Sequence, residues 1–303
     1  MLDMLPSGIY PPLPTFFDHQ EELDLATLRR HMLRLADSGI AGYVLMGSNG
    51  EAVHLTADER TRVIATAKET VAKLEITMPI IAGCGDQSTK ATIAHCQQAA
   101  RNGADSVLIL PPFYYRGRMS RNELIAHYRA VADSSSLPVL LYNMPDSTGG
   151  LDLDAATICA LAEHPNIIGV KDSAGNIAKL AQIVGAVPSS FRVFAGNAGF
   201  LLPALVVGAV GTVSALANIY PRAICHLQAL FENGQIEEAR AIQARIIPPN
   251  AAVTAMYSVP GLKAALELVA GYGGKPRMPL QPVTESERSK LAEILHTAQL
   301  EEI

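Results

Sequence analysis

Eight short apolar runs of strand length recur along the chain: GIYPPLPTFF from Gly8, GYVLMGS from Gly42, PIIAGCG from Pro79, SVLILPP from Ser106, PVLLYNMP from Pro138, IIGVKDS from Ile167, RVFAGNA from Arg192 and VGTVSALA from Val210. They are nearly continuous in apolar character, without a polar residue at every second place, which is the pattern of strands covered on both faces and so of a parallel sheet. Segments of helical period separate them. Leu25, Leu28, Met32 and Leu35 share one helical face, and Gly39 follows as a C-terminal stop. Thr56 with Glu59 and Ser120 with Glu123 have the S/T-x-x-E spacing in which each side chain satisfies the other residue's free backbone N–H at a helix start. Strand and helix alternating in this way predict an α/β protein with a closed (β/α)8 barrel, in preference to an open doubly wound sheet.

From about Gln235 the strand runs stop. Helical patterns predict a helix from Gln235 to Ile247, a break at Pro248-Pro249, a further segment from Ala251, a helix from Gly261 to Ala270, and a last helix opened by Thr284 and Glu287. The expected organisation is a barrel over residues 1–232 and a C-terminal helical extension over 233–303 packed on it, because no repeat, low-complexity tract or linker intervenes.

Composition narrows the classes. With 303 residues, 49% hydrophobic and 17% charged, the chain can bury a large core, and one barrel plus an appendage fits that length. A net charge of -5 with scattered Lys and Arg offers no basic face, so neither nucleic acid nor a membrane is an expected partner. Cys84, Cys96, Cys159 and Cys225 form no C-x-x-C pair, which argues against a disulfide framework or a zinc site and for a reducing compartment. Met1 to Tyr10 lacks the features of a signal or transit peptide, so a cytoplasmic location is expected.

Barrel active sites form where strands end, so polar residues there carry weight. Lys171 follows the apolar run Ile167-Ile168-Gly169-Val170. A lysine in low dielectric has its charged form disfavoured, and its free amine can condense with a ketone to an imine that draws electrons from the adjacent carbon. The competing reading is a lysine that pairs with Asp172 or snorkels to the barrel mouth. Tyr142, before Asn143, is either a proton relay or a core tyrosine. Ser48 and Asn49, between two glycines and ahead of a capped helix, offer donors for a carboxylate or phosphate, or form an ordinary βα turn. The histidines make no H-x-H or H-E-x-x-H set, and Glu123 with His127 reads as a solvated pair on an outer helix, so no metal site is expected. No G-x-G-x-x-G follows the first strand, so no nicotinamide cofactor is expected either.

GSNGE at Gly47, YNMPDSTG at Tyr142 and GVKDSAGN at Gly169, in this order, resemble the dihydrodipicolinate synthase and N-acetylneuraminate lyase superfamily over nearly the whole chain. Within it, PPFYYRGRMS, AGNAGF, ALAN, PNAAVT and YGGKPRMPL are most similar to the 4-hydroxy-2-oxoglutarate aldolase branch. The resemblance implies a class I aldolase without a cofactor. In it Lys171 forms the Schiff base, Tyr142 shuttles protons, and Ser48 and Asn49 hold the substrate carboxylate. Tyr114 would cross a subunit interface to complete a neighbour's relay, Ser173 would face the substrate, and the assembly would be a homotetramer built as a dimer of dimers.

One departure stands out. The synthase motif Y-N-x-P-x-R-T-G carries an arginine that clamps a second substrate's carboxylate, and here Ser147 occupies that position. The expected reaction is therefore retro-aldol cleavage of a 2-oxo acid, 4-hydroxy-2-oxoglutarate, to pyruvate and glyoxylate. The alternatives are cleavage of a 2-keto-3-deoxy sugar acid, a synthase-like condensation, a phosphate-binding barrel isomerase or lyase using the AGNAGF and SALAN loops, and a non-catalytic 2-oxo acid sensor.

Overall fold

The computed structural model describes residues 5–74 and 77–300. Its eight strands are β1 (Gly8–Tyr10), β2 (Tyr43–Leu45), β3 (Ile80–Gly83), β4 (Ser106–Ile109), β5 (Val139–Asn143), β6 (Ile167–Asp172), β7 (Arg192–Ala195) and β8 (Gly211–Val213). They pair in parallel in the order β1-β8-β7-β6-β5-β4-β3-β2. A single parallel bridge, Pro12 to Val44, brings the first strand beside the second, with the Leu13 N–H donating to the Val44 carbonyl at 2.8 Å. The ring is thus a nearly closed barrel, as the uniformly apolar runs predict. Between the strands run α1 (Leu25–Ala36), α2 (Ala57–Val71), α3 (Thr89–Arg101), α4 (Arg121–Ser134), α5 (Ala155–Ala162), α6 (Ile177–Ala186), α7 (Leu201–Val206) and α8 (Pro221–Glu232). Leu28, Met32 and Leu35 bury the predicted face of α1, and capping boxes open α2 and α4 at Thr56 and Ser120. No helix among the described residues is long and apolar enough to cross a membrane.

Beyond α8 lie α9 (Ile236–Ala251), a π-helical turn (Ala252–Met256), α10 (Ser258–Ala270) and α11 (Glu285–Ala298), the last opened by the Thr284–Glu287 capping box. Pro248-Pro249 does not break the chain where the sequence predicts. α9 runs through both prolines, because Pro249 is buried and Gln243 ties the helix to the Leu202 N–H at 2.8 Å and the Ala198 carbonyl at 3.0 Å. Packing overrides the two missing donors, and the irregularity falls in the following π turn. The pair of Glu123 and His127 is also corrected: Glu123 closes the Ser120 cap, while His127 is buried with Nδ1 2.9 Å from Thr89 Oγ1.

Side-chain alternation divides the strands between two apolar groups. Tyr10, Val44, Ile81, Leu108, Leu140, Tyr142, Phe194 and Val213 pack inside the barrel. Their neighbours Ile9, Leu45, Ile80, Val107, Val139 and Leu141 pack outward under the helices. Strand β6 departs from this phase. Its pairing with β5 slips, Val139 facing Ile167 but Leu140 facing Gly169, so Ile168 packs inward and Val170 outward. This bulge turns Lys171 into the barrel and Asp172 out toward α6. Gly169 is required there, since a Cβ would sit 2.2 Å from the Arg192 carbonyl oxygen.

Two buried imidazoles set an expected pH response. Burial pushes His31 down to about 3, between Tyr272 and Asn218, and His127 down to about 4. Both rings are neutral in the fold, while the unfolded chain protonates them near the ordinary value of about 6.5. Stability is therefore flat above that value and falls as pH drops from about 6.5 toward 4, by about 1.4 kcal/mol per pH unit for each ring. Urea midpoints at pH 7.5, 6 and 5 check this, since most carboxylates titrate lower; midpoints that do not move would show that these rings are already accessible to protons.

Candidate active site

Lys171 and Tyr142 stand side by side at the carboxyl ends of β6 and β5, where the strand pairing sets Tyr142 opposite Lys171 and Asn143 opposite Asp172. Lys171 is 4% exposed, and its Nζ lies 3.9 Å from the centre of the Tyr142 ring. Among the described residues no carboxylate pairs with it. Asp172 is instead held by Lys179 Nζ of α6 at 2.7 Å and by Asn143 Nδ2 at 2.9 Å. Lys179 also reaches Asp152 at 2.7 Å, and Asn143 accepts the Leu153 N–H at 2.8 Å. The polar residues adjacent in sequence to the two inward side chains thus lock both strand ends from the outside, and the lysine amine is left free within the barrel.

Over this pair lies a cavity of about 500 Å³, lined by Ser48, Asn49, Tyr142, Ser147, Lys171 and Ser173 together with Asn197 and Thr254. The Ser48 hydroxyl is 3.5 Å from that of Tyr142, which also points at Met144 Sδ at 2.7 Å. Ser48 and Asn49 belong to a one-turn 3₁₀ helix, Ser48–Gly50, bracketed by two non-glycine residues in the left-handed region, Met46 and Glu51, each at φ 52°. Left-handed residues on both sides of a short turn mark backbone whose shape the surroundings impose. Gly83 on β3 permits it, since a Cβ there would meet the Met46 carbonyl oxygen at 2.0 Å. Ser173 donates to the Gly196 carbonyl at 3.3 Å, and a Cβ on Gly196 would lie 1.9 Å from the Ser173 hydroxyl.

The structure therefore brings together Lys171, Tyr142, Ser48, Asn49, Ser147 and Ser173. It does not bring Tyr114 to them: this side chain is 76% exposed, edge-on to Tyr115, with its N–H on Gln87 Oε1 at 2.8 Å. Sequence reasoning missed the C-terminal contribution. Val253, Thr254 and Ala255 of the π turn and Ser258 and Val259 of α10 close one side of the cavity. The local signals were the proline pair preceding them and the PNAAVT run that carries part of the resemblance. Among the described residues no cluster of three or more His, Cys, Asp or Glu could hold a metal ion, and the four cysteines are unbridged.

A nearly closed parallel barrel places these side chains at the carboxyl ends of its strands, the end at which barrel active sites form. The chain belongs to the dihydrodipicolinate synthetase family, whose pattern matches residues 5–298. It is 42% identical to the protein of Emericella nidulans named "Probable 4-hydroxy-2-oxoglutarate aldolase, mitochondrial", over 94% of this chain and 93% of that one. It is 36% identical to the L-threo-3-deoxy-hexylosonate aldolase of Hypocrea jecorina, over 97% and 96%. Among solved structures, a prophage protein of the dihydrodipicolinic acid synthase family from E. coli K12, crystallised in complex with pyruvate, is similar with a TM-score of 0.89 and 30% identity, over 97% of this chain and 99% of that one. The protein is an aldolase, and so a lyase.

Proposed function

We propose that the protein is a class I aldolase that forms a Schiff base on Lys171 and cleaves 4-hydroxy-2-oxoglutarate to pyruvate and glyoxylate. The observation that carries this reading is the buried Lys171 amine, without a carboxylate partner among the described residues, in a cavity against Tyr142. In the proposed sequence Ser48, Asn49 and the backbone N–H groups of their turn hold the substrate carboxylate, and Lys171 attacks the 2-oxo carbon. The carbonyl oxygen leaves as water, giving the imine. Tyr142 takes the proton of the 4-hydroxyl, the C3–C4 bond breaks, and its electron pair moves through the protonated imine to form an enamine as the aldehyde departs. Protonation at C3 and hydrolysis of the imine release pyruvate and return the amine.

In this reading residues 1–232 are the catalytic barrel, and residues 233–303 an extension that closes one side of its cavity. The exposed Tyr114 suits a role across an interface in a homotetramer, where it would join the relay of Tyr142 and Ser48 in a neighbouring subunit. The unbridged thiols suit a reducing compartment such as the cytoplasm, although the Emericella relative carries a mitochondrial name.

A second reading, cleavage of a 3-deoxy sugar acid, is favoured by one observation. Among the described residues Lys171 is the only cationic one lining the cavity, and the remaining polar groups there include the hydroxyls and amides of Ser173, Asn197 and Thr254, which suit a hydroxylated tail. A panel of 4-hydroxy-2-oxo acids separates the two through the aldehyde released, glyoxylate or glyceraldehyde. The same panel should include condensation of pyruvate with aspartate semialdehyde. With Ser147 where the synthase motif has arginine, loss of a charge-assisted bidentate contact should lower kcat/KM for condensation by about ten- to a hundredfold or more. Condensation faster than every cleavage reaction would place the protein among the synthases.

A further inference from the structure

We infer that Glu51 and Lys263 form a positioning pair through which the C-terminal helices hold the Ser48–Gly50 turn in shape. Glu51 follows that turn directly, is 2% exposed, and is itself one of the two left-handed residues that bracket it. Its N–H donates to the Ser48 carbonyl at 3.1 Å, so its backbone is the last link of the turn. Both carboxylate oxygens have partners, Oε1 in an ion pair and Oε2 in hydrogen bonds. Oε1 meets Lys263 Nζ of α10 at 2.6 Å, while Oε2 accepts the Arg277 N–H at 2.9 Å and lies 3.1 Å from His54 Nδ1.

Lys263 is fully buried. Besides Glu51 it has the Lys275 carbonyl, to which it donates at 2.9 Å, and the face of the Phe17 ring at 4.6 Å. Arg277 is fixed in turn by Glu59, the two terminal guanidinium nitrogens meeting the carboxylate at 2.6 and 3.0 Å. The extension thus grips the βα turn after β2 through Glu51, which also lines a neighbouring cavity that shares Ser48, Tyr142 and Ser147 with the candidate active site.

Stability alone gives little reason for such a pair. Removing two charges from water offsets most of their attraction, and an apolar pair of similar volume would hold the helix to the barrel about as well. What an apolar pair would not do is fix the direction of the residue at position 51. A carboxylate with three partners, two of them from the C-terminal extension, over-determines a left-handed conformation that an L residue otherwise avoids. Ser48 and Asn49 lie within three residues of that anchor, so relaxation of Glu51 would spread into the groups that meet the substrate carboxylate.

The substrate part of this inference rests on the proposed function, and the test separates the two. In Lys263→Met, studied well below its melting temperature, amide hydrogen exchange should quicken over residues 47–51 while the amides of β5 and β6 keep their protection. The pyruvate concentration needed for half-maximal borohydride trapping should rise about tenfold, with the trapping rate at saturation within about threefold of the parent. The double variant Glu51→Gln/Lys263→Met removes both buried charges. Its melting midpoint should recover, but the raised pyruvate requirement should remain, and this variant stands in if the single one does not fold. Parental exchange and parental half-saturation in folded Lys263→Met would overturn the inference, as would a double variant that recovers stability and pyruvate binding together. A parent protein that traps no pyruvate would sink the functional reading, leaving hydrogen exchange to decide the positioning claim.

Discussion

Replacing Lys171 with methionine is expected to lower kcat for cleavage by at least about 10⁴-fold, because the nucleophile proposed to make the imine is gone and, among the described residues, no other amine lines the cavity. The fold should survive. Among the described residues Lys171 has no carboxylate partner, and its amine rests on the face of the Tyr142 ring, so truncation to a thioether strands no buried charge. The contrast with its neighbour is informative. Asp172 is fully buried between Lys179 and Asn143, and Asp172→Leu should destabilise the protein by leaving the Lys179 ammonium short of a partner. Lys171→Arg sharpens the result, since it keeps a cation in place but cannot form the imine. Activity retained in Lys171→Arg would mean that the residue acts only through its charge, and activity retained in Lys171→Met would remove it from the chemistry.

The second large effect is expected at Tyr142. Its hydroxyl meets Ser48 at 3.5 Å and Met144 Sδ at 2.7 Å and satisfies no buried backbone group, so Tyr142→Phe should fold as the parent does. The ring that packs on Lys171 stays, and only the hydroxyl proposed to carry the proton is lost. A positioned general acid-base group is worth about 10²- to 10⁴-fold, and that loss should fall on kcat with KM nearly constant. A change confined to KM would make Tyr142 a binding residue and shift the relay to another hydroxyl, with Ser48 the nearest.

How far the sequence could be read follows from which interactions are local. The barrel was legible because strands buried on both faces must be apolar throughout, and the capped helices were legible because both partners of a capping box lie within one turn. The neighbourhood of Lys171, Tyr142 and the Ser48–Asn49 turn was legible because all three sit at strand ends. Whether Lys171 pairs with Asp172 was not. Adjacent residues on a strand point apart, and the bulge at Ile168-Gly169 that decides which one enters the barrel leaves no trace in a continuous apolar run.

Contacts between distant segments account for the other gaps. The helix over Pro248-Pro249 is held by packing and by Gln243, which local propensity does not register. Thr254 and Ser258 reach the cavity only because the extension folds back over it. Lys263, in the helical stretch LKAALEL, carries no local sign of its partner Glu51, which lies far back in the chain. Tyr114 is the reverse case. The resemblance assigns it to a relay, while the single chain leaves its ring at the surface, and only an assembly could carry it to a neighbour's Tyr142.

The most direct test of the proposed chemistry is reductive trapping. Mixing the protein with pyruvate and borohydride, then mapping the modified peptide by mass spectrometry, should find a single reduced pyruvyl adduct on Lys171, because hydride converts the imine into a stable secondary amine. An adduct on another lysine, or none on a protein that still cleaves its substrate, would contradict a Schiff-base mechanism at this site.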